Sequence, residues 1–170
     1  TDHGVLFGAI DFYKACLNEK IHPVIGCEVY VAPRGLEKKD PIYDKERAHL
    51  ILLAENNLGY KNLMKIVSRG FIDGFYYKPR VDHDCLSEYS EGIICLSACI
   101  AGEIPQMILN NNLAGAEERC LVYQNIFGKD HFFLEIQDHR LREEALINER
   151  LIQLSKKLSI PLVATNDVHY

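Results

Sequence analysis

Short, almost wholly apolar runs recur along this 170-residue chain, separated by stretches whose apolar residues repeat every three or four positions. His49-Leu50-Ile51-Leu52-Leu53-Ala54 is the clearest run, and residues 58–71 carry the helical pattern behind it. A strand apolar on both sides must be covered on both sides, so such strands belong in a sheet flanked by helices. Residues 24–32, 93–97, 131–136 and 162–165 repeat the strand signal, and Thr1 carries the stub of another. Helical spacing is read over 6–17, where Leu6, Ala9, Ile10, Tyr13, Cys16 and Leu17 make the apolar face, and over 101–110, 114–126 and 143–158. The alternation predicts an α/β fold with a mainly parallel sheet, which a barrel of βα units accommodates better than an open sheet. Residues 34–47 are charged, interrupted by Pro41, and read as an exposed loop. With no internal repeat or low-complexity linker, residues 1–170 read as one domain.

Composition narrows the classes. Apolar residues make up 48% and charged residues 25%, the balance of a soluble globular domain with a core of its own. The longest apolar run falls well short of the roughly 18 residues that a membrane span needs, so no membrane partner is expected. No secretory signal is visible at the start, which opens on Thr1-Asp2-His3 without a methionine and is expected to be cut from something longer. A net charge of −5 excludes a generally basic nucleic-acid-binding surface; bound cations or a neighbouring domain would have to supply positive charge. The six cysteines include no C-x-x-C pair, which supports neither a zinc ribbon nor a disulfide scaffold. Reduced thiols and a cytoplasmic location are expected.

Side chains of metal-ligating type sit at or near the strand ends. His3 follows the stub, Glu28 lies within Gly26-Cys27-Glu28-Val29-Tyr30, and His49 opens its strand. Cys99 follows the strand ending at Ser97, and Asp167 and His169 follow the last one. In α/β barrels functional groups gather where loops leave the C-terminal ends of strands, which suits His3, Cys99, Asp167 and His169. Glu28, inside a strand, and His49, at the start of one, do not fit that rule. Alternate residues of an extended segment face one side, so Asp167 and His169 are expected to share a centre. Asp2 and His3 would point apart, which makes His3 the ligand and Asp2 a support that orients it. Three imidazoles, two carboxylates and a thiolate exceed one tetrahedral zinc site, so a cluster of metals is the natural use. Imidazole and thiolate favour zinc or iron, while carboxylates admit manganese or magnesium. An isolated histidine is more often a surface or hydrogen-bonded residue than a ligand, and His22, His83 and His131 are read that way. His139, in Gln137-Asp138-His139, borders the site. Physics alone reaches only as far as a metal-dependent hydrolase of phosphate esters.

Together these residues resemble the PHP (polymerase and histidinol phosphatase) family, in the form found within bacterial replicative DNA polymerase III α subunits. The matching phrases are Thr1-Asp2-His3-Gly4, Gly26-Cys27-Glu28-Val29-Tyr30-Val31-Ala32, His49-Leu50-Ile51-Leu52-Leu53-Ala54 and Gly59-Tyr60-Lys61-Asn62-Leu63. They continue through Phe75-Tyr76-Tyr77-Lys78-Pro79-Arg80, Ser97-Ala98-Cys99 and Val163-Ala164-Thr165-Asn166-Asp167-Val168-His169-Tyr170. The resemblance implies a distorted (β/α)7 barrel, incomplete here, with the palm, fingers and thumb of a polymerase outside the chain. It implies a cluster of roughly two to three zinc, manganese or iron ions, with His3, Glu28, His49, Cys99, Asp167 and His169 as ligands. A His-x-His pair and an aspartate that the family also uses would lie upstream of Thr1, so the chain alone is expected to be inactive. The implied activity is 3′→5′ removal of misincorporated nucleotides, with His3, Glu28, His49, Asp167 and His169 as the catalytic set. Implied partners are the DNA primer end, the rest of the α subunit with its own magnesium, a separate proofreading exonuclease subunit and a sliding clamp. Lys78 and Arg80, on a loop with Tyr76 and Tyr77, are candidates to contact phosphates and stack a frayed base. Two rival expectations remain: a metal-stabilised scaffold that docks a separate exonuclease, and a phosphatase of the histidinol phosphate type.

Overall fold

The computed structural model describes residues 1–32, 34–45 and 47–168. In chain order its elements are β1 (Asp2–His3), α1 (Ala9–Asn18), β2 (Gly26–Val31), β3 (Ala48–Ala54), α2 (Asn57–Ile72), β4 (Arg80–Val81), α3 (His83–Glu88), β5 (Ile93–Leu96), α4 (Glu103–Leu109), α5 (Leu113–Phe127), β6 (Phe132–Ile136), α6 (Arg142–Leu158) and β7 (Leu162–Ala164). The strands form one sheet in the order β1-β2-β3-β5-β6-β7, and β4 pairs with β2. Pairing is parallel for β1–β2, β2–β4, β5–β6 and β6–β7, and antiparallel on both sides of β3. Among the described residues β1 and β7 do not pair, so the sheet is open between them.

The polarity of β3 accounts for the misfit in the sequence pattern. Every other strand runs one way, so the start of β3 lies at the same end of the sheet as the finish of its neighbours. His49, second residue of β3, is thereby delivered to the common mouth. β1 and β4 lie in tandem along one edge of β2: His3 pairs with Glu28, Gly4 donates its N–H to the Glu28 carbonyl at 2.8 Å, and Arg80 then pairs with Tyr30. Gly4 sits at the junction with φ +72°, and a Cβ there would press on Pro79 and the Tyr30 ring. Only glycine meets both demands without strain.

Helix starts follow local chemistry. The Asn56 side chain caps α2 by accepting from Leu58 and Gly59 N–H at 3.0 Å, Asp82 caps α3 through Cys85 N–H, and Asn112 caps α5 through Gly115 N–H. At α6 the third helical residue, Glu144, turns back to accept the His139 N–H at 2.7 Å. One face of the sheet packs on the helices: Cys27, Val29, Val31, Leu50, Leu52, Cys95, Phe132 and Leu134 meet Leu63, Ile66, Leu86, Ile104, Cys120, Tyr123 and Leu151. The expected apolar face of α1 is different. Of that helix only Cys16 is buried, while Ile10, Tyr13 and Leu17 are exposed. Among the described residues no helix is long and apolar enough to cross a membrane.

Candidate metal centre

The opposite face of the sheet carries the chemistry. Side chains alternate along a strand, so Glu28 and Tyr30 share the face that Cys27, Val29 and Val31 turn away from. Cross-strand register sets Tyr30 opposite His49, Glu28 opposite Ile51 and His3 beside Glu28. The outcome is a compact group: His3 Nδ1 lies 3.2 Å from Glu28 Oε1, and His49 Nδ1 pairs with the same oxygen. Cys99 Sγ is 3.7 Å from His49 Nδ1. Cys99 arrives there because the segment after β5 folds back on the start of β3: His49 N–H donates to the Ala101 carbonyl, and Gly102 N–H to the Cys99 carbonyl. Exposure is graded, with the Glu28 side chain 1%, His49 23% and His3 42% accessible. The carboxylate is the floor of the group and the imidazoles are its more exposed rim. Hydrogen bonds from Cys99 and Glu28 outweigh burial and raise His49 to a pKa of about 9.

A second polar group lies one strand further on. Glu135, alone among the apolar residues of β6, is buried and accepts from Thr165 Oγ1 and from Gln137 Nε2 at 3.1 Å. Its N–H donates to Ser97 Oγ at 2.8 Å. Burial raises the Glu135 carboxyl above its ordinary range, and the charge of Asp167 adds to the rise. His139 bonds Glu144 Oε1 through Nδ1 at 2.6 Å and the Asn166 carbonyl through Nε2 at 2.9 Å. Both bonds, Glu144 first, raise the His139 pKa, and Asp167 contributes again. A cavity of about 10 Å³, room for one water, is lined by Cys99, Glu135, Gln137 and Glu144 and separates the two groups.

The structure thus brings together His3, Glu28, His49 and Cys99, and places Asp167 and His139 with Glu135 beside them. His169 lies outside the described residues. Asp167 has φ +49°, a left-handed turn that aspartate tolerates. Gly4, Ala98 and Asp167 all turn left-handed just after β1, β5 and β7. Of these, only Ala98 lacks the side chain or the glycine backbone that tolerates such a turn. Asp2 accepts the Gly8 N–H at 2.9 Å and so holds the turn into α1.

The aromatic loop is divided. Arg80 is fully buried: its Nε donates to the Gly74 carbonyl at 3.0 Å and its Nη2 to the Leu36 and Lys38 carbonyls at 3.1 Å. Its guanidinium lies 5.2 Å from the Tyr76 ring, and Tyr76 packs edge-on against Tyr77. That arginine ties loops together inside the fold and presents no surface to a ligand. Lys78 is exposed. The residues missed by sequence reasoning are Glu135, Tyr30 and Arg47. Glu135 could have been found as a lone carboxylate in an apolar strand, the signal that Glu28 also gives.

The donor set fits a divalent cation on chemical grounds: a buried carboxylate, two imidazoles and a thiol on one face are a mixed oxygen, nitrogen and sulfur set. Among the described residues, no three such groups are arranged as a ready-made cage for an ion.

Residues 1–139 match the family model of the PHP domain. The chain belongs to the PHP domain family. The PHP match ends at His139, so Asp167 lies beyond it. The whole chain also aligns with DNA polymerase III subunit alpha of Treponema pallidum (strain Nichols), 48% identical over 171 residues, and of Borreliella burgdorferi (strain ATCC 35210 / DSM 4680 / CIP 102532 / B31), 50% identical over 172. The Thermus aquaticus protein of the same name is 45% identical over 172 residues. All of this PHP chain is covered in each alignment, against 15%, 15% and 14% of those relatives, so it spans about a seventh of their length.

Proposed function

We propose that this PHP domain is part of a bacterial replicative DNA polymerase III α subunit and acts there as a metal-dependent 3′→5′ exonuclease. The carrying observation is the convergence of His3, Glu28, His49 and Cys99, from separate strands and loops, on one open mouth. His3, Glu28, His49 and Cys99 would hold divalent ions, with Asp167 and His169 completing the set. Zinc, manganese and iron all suit these donors. When bound, such ions lower the pKa of water and offset the charge that builds on a phosphodiester under attack. The protein's own part is positioning. Glu28 fixes both imidazoles through their Nδ1 atoms, Asp2 anchors the turn after His3, and the Ser97–Ala98–Cys99 turn holds the thiol against His49. Glu135, raised by burial, is able to keep a proton closer to neutrality than an ordinary carboxyl.

On this reading the domain works in the cytoplasm on a DNA primer end. Its parent carries out DNA-directed DNA synthesis with magnesium at a separate site and is served by a sliding clamp. A second reading has one observation in its favour: Glu28 already bonds His3 and His49 directly. A site satisfied in this way also suits a metal-stabilised scaffold that steadies the polymerase and docks a separate proofreading exonuclease.

The test follows a 3′-mismatched primer on a gel without nucleotides, using the full polypeptide that carries this domain, loaded with manganese or zinc. A variant combining His49→Ala and Asp167→Ala is run beside it. Metal-dependent shortening that vanishes in the variant supports the exonuclease. No shortening in either, with metal still bound by the unsubstituted protein, supports the scaffold.

A further inference from the structure

We infer that Arg47 and Lys78, gathered on the ring of Tyr30, form an anion-binding rim that holds a phosphate of a nucleic-acid strand beside the metal centre. The inference rests on the phosphodiesterase reading above and names the group that recognises the substrate. What singles out Arg47 and Lys78 is the one ring they share beside the site, since most of the chain's 19 basic residues pair with no carboxylate among the described residues. Arg34, Arg69, Arg119 and Lys157 each pair with a carboxylate. Among the described residues Arg47 and Lys78 form no salt bridge. Arg47 donates to the Lys45 carbonyl in its own loop, and its Cζ lies 5.5 Å from the Tyr30 ring centre. Lys78 Nζ lies 5.8 Å from the same ring.

Tyr30 is the hinge between this pair and the site. Its ring centre is 5.4 Å from that of His49 and 6.5 Å from that of His3. Only 6% of it is exposed, and register fixes it from both sides, opposite His49 on β3 and Arg80 on β4. Arg47 and Lys78 each precede one of these paired residues by two positions, so the same register brings both cations to one ring. Contacts of this kind are worth only about 0.5–1 kcal/mol at exposed sites, and two like charges on one ring oppose each other. Stability alone gives little reason for the arrangement. An incoming phosphate gives one: a guanidinium supplies a directed fork, an ammonium a compact charge, and the ring a floor that leads to the imidazoles. Arg80, the loop's other cation, takes no part because it is buried.

The test reads these two side chains directly. The full polypeptide carrying the domain is kept in chelator, so that DNA stays intact, and is modified with phenylglyoxal and with acetic anhydride. Rates are read peptide by peptide by mass spectrometry, with and without a short single-stranded oligothymidylate, and with inorganic phosphate alone. With the oligonucleotide about tenfold above half-saturation, modification of Arg47 and Lys78 is expected to slow about tenfold. Protection should fade as salt is raised, and Lys157, paired with Glu117 elsewhere on the surface, should be unchanged. Unchanged rates at Arg47 and Lys78 overturn the inference. Protection by inorganic phosphate at the same concentrations as the oligonucleotide overturns the strand and assigns the rim to free phosphate. Protection in chelator, joined to no shortening of DNA in manganese, keeps the rim and removes the hydrolytic reading, so the two failures are distinct.

Discussion

Alternation along β2 builds two unlike faces from neighbouring residues. Cys27, Val29 and Val31 turn to the helices and join a continuous apolar core. Glu28 and Tyr30 turn the other way, toward a face where Ile51, Leu96 and Ala98 form a small buried cluster, with Leu53, Ile94, Phe133 and Val163 partly buried against it beside the ionisable groups of the mouth. Even the same chemical group behaves differently on the two sides. The Cys27 thiol, with burial as the main cause, is pushed up to about 12 and acts as a small hydrophobe. Cys99, on the mouth side, is partly exposed and touches His49. One face holds the fold together, and the other is held by it.

The largest effect expected from this division is on the helix-covered face. Phe132 is fully buried in the main core against Tyr123, with ring centres 5.5 Å apart. Phe132→Ala removes a buried ring from a packed region, and such truncations cost about 3–5 kcal/mol. The domain's urea midpoint, followed by hydrogen exchange of the β5–β6 segment, should fall accordingly. A loss below about 1 kcal/mol would mean that this face is not where stability resides.

Glu28→Gln probes the other face with a near-isosteric change. It removes a buried charge, which is costly to bury, and weakens the ion pairs with His3 and His49, which favour keeping it. These contributions oppose, so metal-free stability should change by no more than about 1 kcal/mol in either direction. The rise in melting temperature on adding manganese or zinc should disappear, because stabilisation by a ligand depends on its affinity for the folded state. A metal-free loss as large as that of Phe132→Ala would make Glu28 structural and erase the contrast between the faces.

How much of this was legible in the sequence follows from what side-chain patterns encode. Apolar runs and three-to-four spacing carry the existence of strands and helices, and the elements appear where those patterns lie. A strand apolar on both sides carries no direction, so the reversal of β3 was invisible, and with it the reason that His49 opens a strand. β4 has two residues and α3 six, too short for any period to show. The apolar spacing of α1 was read correctly as helical, yet spacing alone cannot say that neighbouring elements leave that face uncovered. In the site, Glu28 and Cys99 became credible only through their companions in the family resemblance. Arg47 and Tyr30 were missed because they lie 17 positions apart, and only antiparallel register makes them neighbours. In the sequence Arg80 is a candidate phosphate contact like Lys78, because composition does not reveal three carbonyls waiting inside the fold.

The smallest effect concerns the edge where the two faces meet, at His139. This histidine bridges Glu144 at the start of α6 and the Asn166 carbonyl after β7, so it ties a helix of the stabilising face to the mouth. Its pKa is raised, first by Glu144 and then by the Asn166 carbonyl, while Glu144 is lowered because the His139 bonds outweigh burial. A raised histidine contributes stability that is full below its unfolded value of 6.5 and is lost as pH climbs through the folded value. A lowered carboxylate contributes above its unfolded value of 4.5 and loses that contribution as pH falls through the folded one. The bridge should therefore be strongest between those two unfolded values and weaken on both sides. Melting temperature measured across that range and up to about pH 8 should decline on the alkaline limb, and His139→Gln should flatten that limb. The His139 end of the bridge is exposed and open to salt, so the change should be smaller than for Phe132→Ala and shrink further in about 0.5 M sodium chloride, a concentration at which screening is strong. An unaltered alkaline limb in His139→Gln would detach this histidine from stability and leave Glu144 to cap α6 alone.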